Sequence, residues 1–193
     1  MKVNEIFYSI QGEGFNAGKA AIFIRLAGCN LRCPFCDTDF SKSTEKTDEE
    51  IIDEISKYPC RFIVITGGEP SLQLTSSSVK SLHKKGYYVA VESNGTRELP
   101  KNVDWVTISP KDDYEKSGKT VVKVADEVKV VFDKEHQDVD KFLDIVAKHY
   151  YLQPCDTGNV DENREIYKEI VNYVKHHNTW SISLQQQKIL NIR

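Results

Sequence analysis

The chain is expected to fold as an α/β protein around a mostly parallel sheet, and three features of the 193 residues lead there. Short runs rich in apolar and β-branched residues recur along the chain, stretches with helical spacing separate most of them, and polar turns containing glycine or proline follow the strands. Alternating strands and helices imply parallel neighbours joined by right-handed crossovers. The turns then gather at the C-terminal ends of the strands, the rim where such sheets and barrels build their sites. The length suits one domain, residues 1–193, and no linker, repeat or low-complexity tract divides it.

Val3 to Ile10 reads as an extended segment, broken by Gln11-Gly12-Glu13-Gly14, which is either an ordinary turn or a place where backbone approaches a ligand. Ala20 to Leu26 is a buried-strand pattern interrupted by Arg25, which serves as one half of a structural ion pair or as a fork for a substrate carboxylate. A long loop follows. Thr47 to Glu50 is a capping box, with Ile51, Ile52 and Ile55 on one face of the helix behind it.

Arg61 to Thr66 is the next strand, ending in Gly67-Gly68-Glu69-Pro70, and Leu74, Val79 and Leu82 space out a second helix. Strands at 87–91 and 105–108 end in Glu92-Ser93-Asn94-Gly95 and Ser109-Pro110-Lys111; residues 112–126 show no period. Further strands are expected at 127–132, 150–153 and 180–184, with helices over 139–148 and 163–177.

The chemistry concentrates in the loop after Leu26, Cys29-Asn-Leu-Arg-Cys33-Pro-Phe-Cys36. Three thiols this close converge on one metal centre, and thiolate is the ligand that iron–sulfur clusters take. A four-iron cluster on three cysteines keeps one iron open to a small molecule. Structural zinc wants a fourth ligand, but the next cysteine is Cys60 and the nearest downstream histidine His83. Five cysteines, three within eight residues and with no secretory signal ahead of them, do not make a disulfide framework. Cys60 and Cys155 read as ordinary thiols.

The cysteine spacing, the aromatic Phe35 before the third thiol and the Gly-Gly-Glu-Pro turn together resemble the radical S-adenosylmethionine (radical SAM) superfamily. Ile10-Gln-Gly-Glu-Gly14, Cys36-Asp37-Thr38-Asp39, Glu92-Ser-Asn-Gly-Thr96, Ser109-Pro-Lys111, Gln153-Pro154 and the ending Ser183-Leu184-Gln185 with Asn191-Ile192 narrow the resemblance to the 7-carboxy-7-deazaguanine synthase family. It implies a partial (β/α) barrel and a lyase reaction in queuosine and 7-deazapurine biosynthesis, from 6-carboxy-5,6,7,8-tetrahydropterin to 7-carboxy-7-deazaguanine with loss of ammonia. S-adenosylmethionine is used catalytically through a 5′-deoxyadenosyl radical.

The resemblance further implies a [4Fe–4S] cluster on Cys29, Cys33 and Cys36 and magnesium on Thr38. Gly68 and Glu69 are expected at S-adenosylmethionine, a side chain at Gly68 meeting its methionine end and Glu69 helping to hold the motif. Glu92 and Ser93, Ser109, Pro110 and Lys111, then Gln153, Pro154, Cys155 and Asp156 complete that site. Substrate is expected on Ile10, Gln11, Gly12, Arg25 and Thr66, with Gln187 and Arg193 from the tail. Gln186-Gln187 stands where some relatives carry Thr-His. Ile189, Leu190 and Ile192 are expected to anchor the tail over the substrate.

Two other readings remain: a small glycyl-radical activating enzyme, which would not need Gln11-Gly-Glu-Gly14 or the polar tail, and a non-catalytic iron–sulfur or zinc module. A net charge of −3 with 28% charged residues offers no basic field for nucleic acid, and no apolar run approaches a membrane span. The expected setting is reducing cytoplasm, as a homodimer, with a flavodoxin- or ferredoxin-like reductant.

Overall fold

The computed structural model describes residues 1–36, 38–39, 42–135 and 138–193, so Asp37 of the cysteine-loop motif lies outside the described residues. Nine strands form one open sheet in the order β3-β1-β2-β4-β5-β6-β7-β8-β9. These are β1 (Lys2–Ile10), β2 (Ala20–Leu26), β3 (Thr44–Glu45), β4 (Phe62–Gly67), β5 (Tyr88–Ser93), β6 (Trp105–Ile108), β7 (Glu127–Phe132), β8 (His149–Pro154) and β9 (Ser181–Ile182). From β2 to β9 every neighbouring pair is parallel, whereas β1 runs antiparallel to β2 and to β3. The sheet does not close, as a partial barrel requires.

Side-chain alternation assigns the two faces. Ile22, Ile24 and Leu26 of β2, Ile63 and Ile65 of β4, and Val89 and Val91 of β5 pack outward beneath α1 (Asp48–Ile55) and α2 (Ser76–His83). Val128, Val130 and Phe132 of β7 join Leu152, Trp180, Ile166 and Ile170 beneath α3 (Val160–His176). The opposite face carries a smaller apolar set, Ala21, Val64, Ala90 and Trp105. Alternate positions on that face bring Arg25, Thr66, Glu92 and Lys129 into the concave side of the sheet.

The capping box forms as expected, Thr47 accepting from Glu50 N–H and Glu50 from Thr47 N–H. The helix expected over 139–148 does not. Asp140–Asp144 is a short 3-10 turn, and Val146 bridges to Val124 instead. The Tyr150 hydroxyl explains the stop: it accepts from Ala147 N–H at 3.0 Å and donates to the Ile145 carbonyl at 2.8 Å, occupying groups a helix would use. The helix expected from 163 begins earlier because Asn159 caps Asp161 and Glu162 N–H. The last strand shortens to Ser181–Ile182.

Candidate active site

The turns after the strands enclose a cavity of about 530 Å³ at the C-terminal rim. Cys29, Cys33 and Cys36 all line it, and all three are free thiols. Their loop is tied to the neighbouring turns: Gly68 N–H donates to Leu26 O at 2.8 Å and Glu69 N–H to Gly28 O at 2.9 Å. Asn30 donates to Thr96 Oγ1 at 2.9 Å and accepts from Asn94 Nδ2 at 3.0 Å.

Gly68 is therefore fixed first by the protein itself. A Cβ there would fall 1.8 Å from the Gly28 carbonyl oxygen, so a side chain meets the cysteine loop whether or not a ligand is bound. Glu69 is wholly buried and takes hydrogen bonds from Ser93 Oγ at 2.7 Å, Asn94 N–H at 2.8 Å and Ser71 N–H at 2.9 Å. It braces the cavity wall from behind. Neither Glu69 nor Pro110 is part of the lining, unlike the other residues expected at either ligand.

Burial pushes the Cys29 thiol up, and does the same to Cys33 against the pull of the Lys111 ammonium. Lys111 itself is brought down to about 8 by loss of water, with Cys33 acting in the opposite sense. Its ammonium donates to the Ser109 carbonyl at 2.8 Å and hydroxyl at 2.6 Å. A cation so placed favours thiolate and offers a donor to an anion. Among the described residues no three Cys, His, Asp or Glu side chains gather as ligands of one metal ion. A cluster binds each thiolate through a different iron, so the wider set of three free thiols on one cavity wall fits it.

The other end of the cavity is charged. Lys129, 5% exposed, is ion-paired with Glu13 and stands 3.8 Å from Glu92. Burial opposes its charge, but Glu13, Glu92 and Glu127 hold its pKa above the ordinary lysine value. Burial would raise the Glu13 carboxyl too; Lys129, with hydrogen bonds from Gln185 and Gln187, brings it down to about 2. Glu127 is pushed up to about 7 by burial, despite Lys129 and a hydrogen bond from Phe15 N–H.

Glu92 accepts from Gln11 Nε2 at 2.9 Å and Thr66 Oγ1 at 3.3 Å, which sets it among residues expected at the substrate although it was expected at the cofactor. Arg25 forms the ion pair of its first reading, with Glu5 at 2.8 Å, and it also lines the cavity. Glu13, Glu127 and Lys129 were not singled out from the sequence. The alternation Glu127-Val-Lys129-Val within β7 was the available signal, since the two charged residues share a face with no water-exposed edge strand to explain them.

The tail closes one side. α4 (Gln186–Ile189) ends in a Schellman motif: Ile192 N–H donates to Gln187 O at 3.0 Å and Asn191 N–H to Lys188 O at 3.3 Å, with Asn191 at φ 52°. Gln185 and Gln187 donate to Glu13 at 3.0 and 2.9 Å, and Lys188 pairs with Asp156 at 2.8 Å. The expected apolar anchoring is not found, because Ile189, Leu190 and Ile192 are 68%, 56% and 40% exposed. Polar contacts hold the tail instead.

A thiol loop, a glycine turn and an open parallel half-barrel define a class, and the family model described as the radical SAM superfamily matches residues 23–151. Membership of that superfamily brings an iron–sulfur cluster and S-adenosylmethionine as cofactors. Within it the chain belongs to the 7-carboxy-7-deazaguanine synthase family. It is 46% identical to the 7-carboxy-7-deazaguanine synthase of Bacteroides thetaiotaomicron, over all of this chain and 98% of that protein. It is 35% identical to that of Burkholderia multivorans, over 98% of each. The crystal structure of QueE from Escherichia coli superposes with a TM-score of 0.77 at 28% identity, covering 95% of this chain and 93% of that one.

Proposed function

We propose that the protein, as one catalytic domain, converts 6-carboxy-5,6,7,8-tetrahydropterin to 7-carboxy-7-deazaguanine with release of ammonia. The observation that carries this reading is a single cavity with three free thiols and Lys111 on one wall and Arg25, Thr66, Glu92 and Lys129 on another. When bound, the cluster and S-adenosylmethionine supply hydrogen-atom abstraction. The chain's own residues supply position.

Ser93, Ser109, Lys111 and the Gln153-Pro154-Cys155-Asp156 segment face the cofactor side. Gln11, Thr66 and Glu92 present a connected set of donors and acceptors to the pterin ring, and Arg25 offers its guanidinium to the substrate carboxylate. Thr38 Oγ1 lies 3.5 Å from Arg25 Nη1, so a magnesium ion on that hydroxyl would share the carboxylate with Arg25. Magnesium keeps several waters and needs few protein oxygens, which fits a single hydroxyl ligand. The tail excludes water from this end.

The reading includes a homodimer in reducing cytoplasm, served by a flavodoxin- or ferredoxin-like electron donor. Among the described residues no helix is long and apolar enough to cross a membrane. The test is anaerobic reconstitution with iron, sulfide and reductant, followed by incubation with S-adenosylmethionine with and without the carboxylated tetrahydropterin. Formation of 7-carboxy-7-deazaguanine and ammonia only when the pterin is present is the expected result. Cleavage of S-adenosylmethionine that leaves the pterin unconsumed would overturn the assignment.

A further inference from the structure

A second, much smaller chamber of about 10 Å³ lies inside the sheet, toward the N-terminal ends of the strands. Gln11, Glu13 and Glu92 line both this chamber and the main cavity, so they form the partition between the two. Glu127, Trp105 and Thr107 line the inner chamber alone. The turn after β1 closes it from the far side. Phe15 N–H donates to Glu127 Oε2 at 2.9 Å, and the Phe15 ring stacks on Trp105 and His149 with centroids 5.1 and 4.1 Å away. Gly14 leaves the carboxyl its room, since a Cβ there would overlap Glu127 Oε1.

The chamber gives about the room one water molecule needs, and a buried water takes about two to four polar partners. Those partners are present. Glu127 is 2% exposed, and among the described residues its Oε1 has no hydrogen-bond partner. Thr107 Oγ1 accepts the Trp105 indole N–H at 3.0 Å, which leaves the hydroxyl proton to donate. Glu92 adds its carboxylate from the partition. The charged groups facing Glu127 are Glu13 from the turn after β1, Glu92 from β5 and Lys129 from its own strand, and β8 adds His149, its register neighbour, and Tyr151. β6 presents Trp105 and Thr107, neither of which titrates near neutrality. Burial pushes the Glu127 carboxyl up to about 7, against Lys129 and with Glu92 and Glu13 adding to the rise. It is a carboxyl able to hold or release a proton at neutral pH.

We infer that the inner chamber holds one ordered water between Glu127 and Glu92, and that Glu127 is a positioning residue storing the proton exchanged with the substrate through that water. The inference rests on the functional reading above and adds a proton path to it. Loss of ammonia breaks a C–N bond, the electron pair leaving with a nitrogen that gains one proton, and a ring carbon gives up one proton as the product becomes aromatic. The two movements cancel, so no co-reactant is needed. Glu127 gives its proton to the water, a proton of the water passes to Glu92 and on to the departing nitrogen, and the ring proton returns the same way. The alternative is structural: Glu127 only ties down the turn after β1 through Phe15.

Turnover of the carboxylated tetrahydropterin by the anaerobically reconstituted protein, followed from about pH 5.5 to pH 8.5 for wild type, Glu127→Gln and Ala90→Val, separates the two. Ala90 lines the inner chamber and not the main cavity, so the added methyl groups displace the water without touching a charged group. The wild-type kcat should inflect near pH 7. Both variants should lose that inflection and about tenfold or more in kcat, with KM for the pterin little changed. A crystal structure of the wild type should show one water between Glu127 and Glu92. A wild-type kcat and inflection in either variant, a kcat that falls with the inflection in place, or a dry chamber overturns the inference and leaves the functional reading standing. A wild type that forms no product overturns both.

Discussion

Glu69 shows how much one carboxylate arranges. It is fully buried and surrounded by neutral donors from two places, the Ser71 N–H after β4, and the Ser93 hydroxyl at the end of β5 with the Asn94 N–H just beyond it. Two of these are backbone donors, which cannot reverse direction. In Glu69→Gln the amide NH2 must therefore face a donor, leaving buried groups unpaired at a cost of about 2–3 kcal/mol. A urea unfolding midpoint well below wild type is the expected result, with S-adenosylmethionine affinity falling as the two turns loosen. An unchanged midpoint would mean that the carboxylate does not brace the wall. The motif was legible in the sequence, and the resemblance implied that Glu69 helps hold it; its partners were not legible, because two of them come from the end of β5 and the turn after it, the first 24 residues further along.

At the scale of elements, the strands were legible because one face is buried beneath helices and part of the other carries a small apolar set, which together write apolar runs, and the capped helices because their caps are local. The failed helix over 139–148 has the right periodicity but loses to a single tyrosine hydroxyl that no local pattern announces. The tail was read as ordered for the wrong reason. Its apolar residues face outward, and what holds it is Gln185 and Gln187 on Glu13, Lys188 on Asp156 and Arg193 on Glu5. Deleting residues 188–193 removes two of those attachments and keeps the glutamines. Turnover of the carboxylated tetrahydropterin should fall by about tenfold or more, about 1.4 kcal/mol in the transition state. Iron content and S-adenosylmethionine binding should persist, because the thiol loop is tied to the turns after β4 and β5 instead. Full turnover by the truncated protein would show that the tail has no part in the reaction.

The open sheet carries a charged level inside it, above the small apolar set, and this makes the stability of the whole molecule depend on pH in an unusual direction. Glu13 comes from the turn after β1, Glu92 from β5 and Glu127 and Lys129 from β7, so their ionisation is felt across the sheet. Glu13, with a folded value of about 2 against 4.5, is the ordinary case: it contributes stability above the unfolded value and loses it as pH falls through the folded one. Glu127 has the opposite sign. Its folded value of about 7 lies above 4.5, so between those limits the folded state holds a proton that the unfolded chain has released, and stability declines as pH rises across that window. Lys129, held above its ordinary value, keeps its contribution until strongly alkaline pH. Of these three groups only Glu127 changes its proton count between about 4.5 and 7, and its contribution declines by at most about 1.4 kcal/mol per pH unit toward neutrality. Urea midpoints measured at steps between about pH 5 and pH 7 should fall for the wild type, and Glu127→Gln should flatten the decline because the amide keeps the shape without the proton exchange. Parallel profiles for the two proteins would place the Glu127 carboxyl in its ionised form throughout, and the negative charge beside Lys129 would then be permanent rather than pH-dependent.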